Sequence, residues 1–167
     1  CHTVLHKGAL VLRVIHNYDL EDIKKSIQYL LDKASQSEEV RQLAVEITAY
    51  KPDPIAAIYD WVKANVAYTP DPVTNGTMEL FISPIRMVRD YREGKPIGGD
   101  CDDMALLTTA LCRSIGIQSN VVLIDQVGNG LDHAYCETQS KLGPINVDPS
   151  PPVPHGWVVQ YRSKIVV

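Results

Sequence analysis

Three residues in this chain have types and an order that could do covalent chemistry. Cys101 lies in Gly98-Gly99-Asp100-Cys101-Asp102-Asp103-Met104, His133 in Asp132-His133-Ala134-Tyr135, and Asp148 in Asn146-Val147-Asp148-Pro149-Ser150. A cysteine is a poor nucleophile while it stays a thiol; a helix N-terminus and a nearby imidazolium both lower its pKa. The Asp100 position reads as a helix N-cap, so the first aid is built into the placement of Cys101, and His133 can supply the second. Asp148 can hold one imidazole nitrogen so that the other faces the thiol, the orienting role of a triad acid. The chemistry that follows is acyl transfer. The thiolate attacks an amide or ester carbonyl, helix-start N–H groups stabilise the oxyanion, and a thioester forms for water or an amine to resolve. A second oxyanion donor has to come from elsewhere, with Asn65, Tyr68 and Asn75 as candidates.

Those residues need a rigid rod and a hairpin to hold them. The helix expected over 100–114 is well punctuated: Asp100 as cap, Asp102 and Asp103 at the positive end, Arg113 at the negative end, Gly116 beyond the C-terminus. From Met104 to Cys112 its only polar residues are threonines, the pattern of a buried helix. If 133–138 and 145–150 pair as an antiparallel hairpin about Leu142, Asp148 falls opposite Tyr135 and diagonal to His133 on one face. That diagonal of about 7–8 Å is within side-chain reach. A slip of one residue would put Asp148 on the other face and break the arrangement. Around this core, 8–16 reads as a strand or extended arm and Asn17-Tyr18-Asp19 as a turn or cap. Helical spacing follows over 20–34 and again after Ser37, which reads as a cap with Glu38 and Glu39 behind it. Asp53-Pro54 starts a third helix, whose stripe runs from Ile55 to Val66 and which Pro70-Asp71-Pro72 closes. Residues 71–99, rich in proline and glycine, read as an irregular wall with a short helix from Pro84 through Tyr91. Val121–Ile124, Ile145–Asp148, Trp157–Tyr161 and Ile165–Val167 read as further strands.

Length and composition set wider bounds. At 167 residues, 1–167 is expected to be a single domain with a sizeable core, and 1–36 to be an N-terminal arm or helix. A net charge of −4 gives no electrostatic case for nucleic acid or an anionic membrane, and no apolar run approaches the length of a bilayer span. The N-terminus carries no signal-peptide pattern, although a cleaved one could have preceded Cys1. The four cysteines, Cys1, Cys101, Cys112 and Cys136, have neither CxxC pairing nor disulfide-dense spacing. Cys101 and Cys112 are about 16 Å apart along a helix axis, too far to bridge. Reduced thiols in a cytoplasmic protein are the simplest reading.

Four stretches together resemble the transglutaminase-like superfamily of papain-fold cysteine enzymes: Gly99–Ala105, Leu111–Ile117, His133-Ala134-Tyr135 and Val147–Ser150. Upstream, Ile58–Tyr68 looks like the helix that precedes the family core. With Ser37–Arg41 and Tyr68–Pro72, the whole is similar to compact bacteriophage-encoded members. The resemblance covers about 37–150. It implies an α+β fold, with a central buried helix carrying Cys101 packed on an antiparallel sheet. It also implies Cys101 as nucleophile, His133 as base and acid, and Asp148 as orienting acid. The order Cys, His, acid fits papain-like enzymes too, but the step from Cys101 to His133 is far shorter than papain's. Family members carry an aromatic just before the acid; here Ile145-Asn146-Val147 stands instead.

Each residue also has a plainer reading. Cys101 could be a core thiol, as Cys112 and Cys136 are expected to be; His133 a structural histidine; Asp148 a turn residue. Asp100, Asp102 and Asp103 could bind a cation, but capping and dipole complementarity explain them more simply. Zinc on Cys101, His133 and Asp148 lacks a suggested fourth ligand. Trp61 and Tyr68 read as packing residues, His155 as a surface residue, and Gly128-Asn129-Gly130 as an ordinary turn. The combined expectation is cysteine-dependent acyl transfer at a peptide-type amide through a Cys101–His133–Asp148 triad, on a protein or peptide substrate, with no cofactor or metal. Hydrolysis is favoured because no second domain is evident to present an acceptor. The alternatives are glutamine transglutaminase or deamidase activity, and a non-catalytic binding or assembly module, with a virus particle as one setting.

Overall fold

A computed structural model describes residues 2–6, 9–16, 19–70, 78–128, 130–150, 152, 154–157 and 159–167. In chain order the elements are β1 (His2–His6), β2 (Ala9–His16), α1 (Leu20–Ser35), α2 (Glu38–Thr48), α3 (Pro54–Asn65), β3 (Val66–Tyr68) and β4 (Met78–Ile82). There follow α4 (Pro84–Arg92), β5 (Ile97–Gly99), α5 (Cys101–Ser114), β6 (Ser119–Asp125), β7 (His133–Ser140), β8 (Gly143–Val147) and β9 (Ser163–Val166). This is the expected α+β arrangement. The strands form an antiparallel four-stranded sheet in the order β8-β7-β6-β9, a three-stranded sheet β1-β2-β4, and a parallel pair β3-β5.

The helix α5 is the centre. Every residue from Asp102 to Cys112 is buried, as the unbroken apolar-and-threonine run requires. Thr108 can sit there because its hydroxyl donates to the Met104 carbonyl at 2.7 Å. Helices α1, α2 and α3 and strand β7 all pack against α5. Ile27, Leu30, Leu31, Leu43, Ile58, Val62, Leu107 and Leu111 fill the space between them. The helix ends as its sequence indicates, with Gly116 at φ +84°, a left-handed conformation that glycine adopts without a Cβ penalty.

The caps divide into those that bond and those that only occupy the position. Asp19 accepts from the Asp22 N–H at 2.9 Å. Asp53 accepts from Ile55 and Ala56, each at 3.0 Å, ahead of Pro54. Ser37 and Asp100 stand at N-cap positions with extended backbones, but neither side chain makes a capping hydrogen bond.

Four further differences from the sequence reading have simple causes. Val66 is not the last residue of α3. The helix stops at Asn65, whose side chain donates to the Trp61 carbonyl, and the β-branched Val66 opens β3 four residues before the prolines. Residues 78–99 are not wholly irregular: β4 pairs with β2 and β5 with β3, pairings too distant in sequence for local periodicity to reveal. The expected helix from Pro84 is present. Trp157–Tyr161 is not a strand among its described residues; sheet order is completed by β9 from Ser163. His155 is not a plain surface residue, because its ring packs on Tyr59 with centroids 5.1 Å apart. Asn17, Tyr18, Asn75 and Asn129 lie outside the described residues.

Candidate active site

Cys101 is the first residue of α5, half-buried, at the positive end of the helix dipole. Two glycines bring it there. A Cβ on Gly99 would lie 2.6 Å from the Asp103 Cβ, and one on Gly98 would lie 2.8 Å from the Thr69 hydroxyl. Only glycine lets β5 run this close to β3 and to the first turn of α5. In the space so created, the Asp103 carboxylate accepts from the Ile82 N–H at 2.7 Å and ties β4 to the start of α5. Asp102 accepts from the Asp103 N–H at 2.9 Å. Asp100, Asp102 and Asp103 have carboxylate oxygens within 4.8 Å of one another, but for Asp102 and Asp103 the backbone donors just named account for one oxygen each.

The hairpin has the register that puts the acid on the histidine's face. Cys136 pairs with Val147 and Ser140 with Gly143, so Asp148 follows directly after the last pair, across from Tyr135. The His133 Nε2 lies 2.7 Å from Asp148 Oδ2, with Asp148 only 2% exposed. Cys101 and His133 line one cavity, and Cys101 is near enough to contribute to the charge balance of the ring. Burial by itself would depress the His133 pKa. The hydrogen bonds and charges of Asp148 and Cys101 outweigh it and raise the value to about 10. The imidazole is therefore a cation across the neutral range. The structure thus brings Cys101, His133 and Asp148 together.

Two further residues belong to this constellation. Ser150 donates to Asp148 Oδ1 from its N–H at 3.1 Å and from its hydroxyl, so Oδ1 is occupied and Oδ2 faces the imidazole. The Asp148-Pro149-Ser150 spacing, with donors two residues after an aspartate, is an Asx-turn pattern and was the available signal. Tyr68 is paired through β3 with Gly99 and is 45% exposed, not packed away as expected. Burial raises its phenol pKa, and so do the nearby charges of Cys101, Asp100 and Asp148, which keeps the O–H protonated and able to donate. Of the other candidate oxyanion donors, Asn65 is engaged with Trp61, and Asn75 lies outside the described residues. Trp61 does pack as expected, edge-on to Tyr91 at 4.8 Å.

Cys112 and Cys136 are fully buried and unbridged. Burial and the adjacent Cys112 push the Cys136 thiol well above its ordinary range, so it is inert in the folded protein. A cavity of about 540 Å³ opens beside Cys101 and His133. Gly130, Leu131 and Asp132 form one rim of it, on a turn whose N–H groups at Val127 and Gly128 donate to Asp125.

The family model described as the transglutaminase-like superfamily matches residues 41–158. A search of curated proteins returns no match. Among solved structures, the chain is similar to a "Putative Cysteine Protease" from Cytophaga hutchinsonii, at 24% identity and a TM-score of 0.55, covering 86% of this chain and 50% of that one. It is also similar to a "putative protease" from Parabacteroides distasonis, at 16% identity and a TM-score of 0.56, covering 77% of this chain and 26% of that one. The chain spans half or less of the length of these two proteins. At these identities the likeness concerns the fold. No helix among the described residues is long and apolar enough to cross a membrane.

Proposed function

The chain belongs to the transglutaminase-like superfamily, and from that premise we propose that it cleaves a peptide-type amide by thiol-dependent acyl transfer, with Cys101 as nucleophile. The observation that carries this reading is the His133 ring, held by Asp148 at Nε2 and lining one cavity with Cys101, which starts a buried helix. The Cys101 thiolate attacks the carbonyl carbon and a C–S bond forms. The oxyanion is stabilised by the Cys101 backbone N–H at the start of α5, with the Tyr68 hydroxyl as second donor. The imidazolium of His133 gives its proton to the amide nitrogen, the C–N bond breaks and the amine leaves. Water then gives a proton to His133 and attacks the thioester, releasing the acid and the thiolate. Asp148, held by Ser150, keeps the ring oriented throughout.

Iodoacetamide tests the nucleophile. Cys101 should be alkylated well below pH 8, with the rate lost in His133→Ala. A Cys101 that titrates like an ordinary thiol, or resists alkylation in the folded protein, removes the basis for catalysis. Proteome-wide substrate profiling against a Cys101→Ala control then reads the reaction by mass: cleaved peptides for hydrolysis, a new acid for deamidation, an isopeptide bond for cross-linking.

A further inference from the structure

The cavity beside Cys101 has an unusual lining. Leu20, Ile23 and Leu131 give it apolar walls, and Asp100, Asp102 and Asp132 give it three carboxylates; among the described residues no lysine or arginine lines it. These acids line the same cavity as the residue that the proposed reaction uses as nucleophile. Asp102 is the informative one. It is only 6% exposed, and its Oδ2 is buried without a hydrogen-bond partner among the described residues. A buried, unmatched carboxylate oxygen is costly, and the cost is recovered when a donor with positive charge arrives. Asp132 stands at the open rim, fixed by the Gln126 N–H at 3.0 Å.

We propose that this cavity is a specificity subsite for a cationic side chain with an alkyl stem, a lysine or arginine of the peptide substrate close to the scissile amide. The inference rests on the acyl-transfer reading of the same site. The stem lies along Leu20, Ile23 and Leu131, as such stems lie on apolar surface, and the head reaches Asp102 past Asp132. Bound there, the cation offsets the negative charge that the three carboxylates place next to Cys101. A neutral isostere fills the walls but leaves the Asp102 oxygen unmatched, and an acidic side chain meets three like charges.

The test is binding to the Cys101→Ala variant of this chain, which needs no catalysis. Acetylated and amidated Gly-Gly-Xaa-Gly-Gly peptides, with Xaa as lysine, arginine, norleucine or glutamate, are titrated by calorimetry. The lysine and arginine peptides should bind at least about tenfold tighter than norleucine, a discrimination typical of a charge-assisted hydrogen bond. Glutamate should bind weakest. Adding Asp102→Asn should bring the lysine-to-norleucine ratio close to one. Equal binding of lysine and norleucine, a preference for glutamate, or no lysine-peptide binding up to about 10 mM overturns the proposal. The ratio in the parent protein carries the test even if Asp102→Asn does not fold. A retained lysine preference with no cleavage in substrate profiling would sink the hydrolytic reading and keep the subsite; cleavage without cationic enrichment would do the reverse.

Discussion

The charge state of His133 is where the site can be tested most sharply. A rise from 6.5 to about 10 corresponds to a preference for the imidazolium on the order of 5 kcal/mol. The ring keeps some contact with solvent, which screens its partners, so about half of that is the energy to expect in a measurement. The perturbation is Asp148→Asn, which keeps the shape and removes the charge 2.7 Å from Nε2. An opposite charge at that distance moves a pKa by about 1–3 units, so the His133 titration should fall by about two units, with Cys101 still beside the ring. The assay is an NMR titration of the His133 Cε1–H resonance in wild type and variant. The sign carries through to stability. A histidine whose folded pKa is raised stabilises the fold fully below about 6.5, and loses that contribution as pH rises through about 10. Wild-type melting temperature should therefore decline across that window, and the Asp148→Asn protein should show a smaller decline. A wild-type His133 that titrates near 6.5, or one that Asp148→Asn leaves unmoved, would refute the ion-pair description.

Other perturbations follow from the same geometry. Ser150→Ala removes the hydroxyl donor to Asp148 Oδ1; it should lower kcat about tenfold and shift the alkaline limb of the pH–rate profile downward, with little change in KM. Tyr68→Phe should lower kcat by about a hundredfold if its hydroxyl serves the oxyanion, while the rate of Cys101 alkylation, which forms no oxyanion, changes far less. Gly99→Ala forces a Cβ to 2.6 Å from Asp103 and should cost about 2–3 kcal/mol in urea unfolding. Tyr50, fully exposed at φ +60°, is a strained non-glycine, and Tyr50→Gly should raise stability by about 1 kcal/mol.

The parts of this molecule legible in the sequence are those set by local rules. The buried run of α5, the Asp53-Pro54 start of α3 and the Gly116 stop each depend on neighbours within a turn or two. The β7–β8 register was also accessible, because the two strands flank one centre at Leu142 and the pairing decides which face Asp148 shares. What was hidden depends on distant partners. Ile97–Gly99 pairs with Val66–Tyr68 and Met78–Ile82 with Ala9–His16, and segments so short show no period of their own. Tyr68 reads both as a packing aromatic and as a candidate oxyanion donor until β5 places Gly99 against it. The two N-caps that do not cap, Ser37 and Asp100, show the limit of residue-type rules. Side-chain identity permits the bond, and the surrounding contacts decide whether it forms.

The position of the acid just past the last β7–β8 pair has a consequence for how this protein can change. The spacing between His133 and Asp148 is counted out by a ladder of backbone hydrogen bonds and not by the length of the loop that joins the strands. Leu142 at the tip of that loop is fully exposed, and the nearest ladder pair is Ser140 with Gly143. Added residues at the tip leave every pairing below it intact, so the turn is a natural graft point for new recognition segments. A single residue added within β8 is different in kind, because it turns Asp148 to the opposite face. The same hairpin is therefore permissive at one end and intolerant at the other.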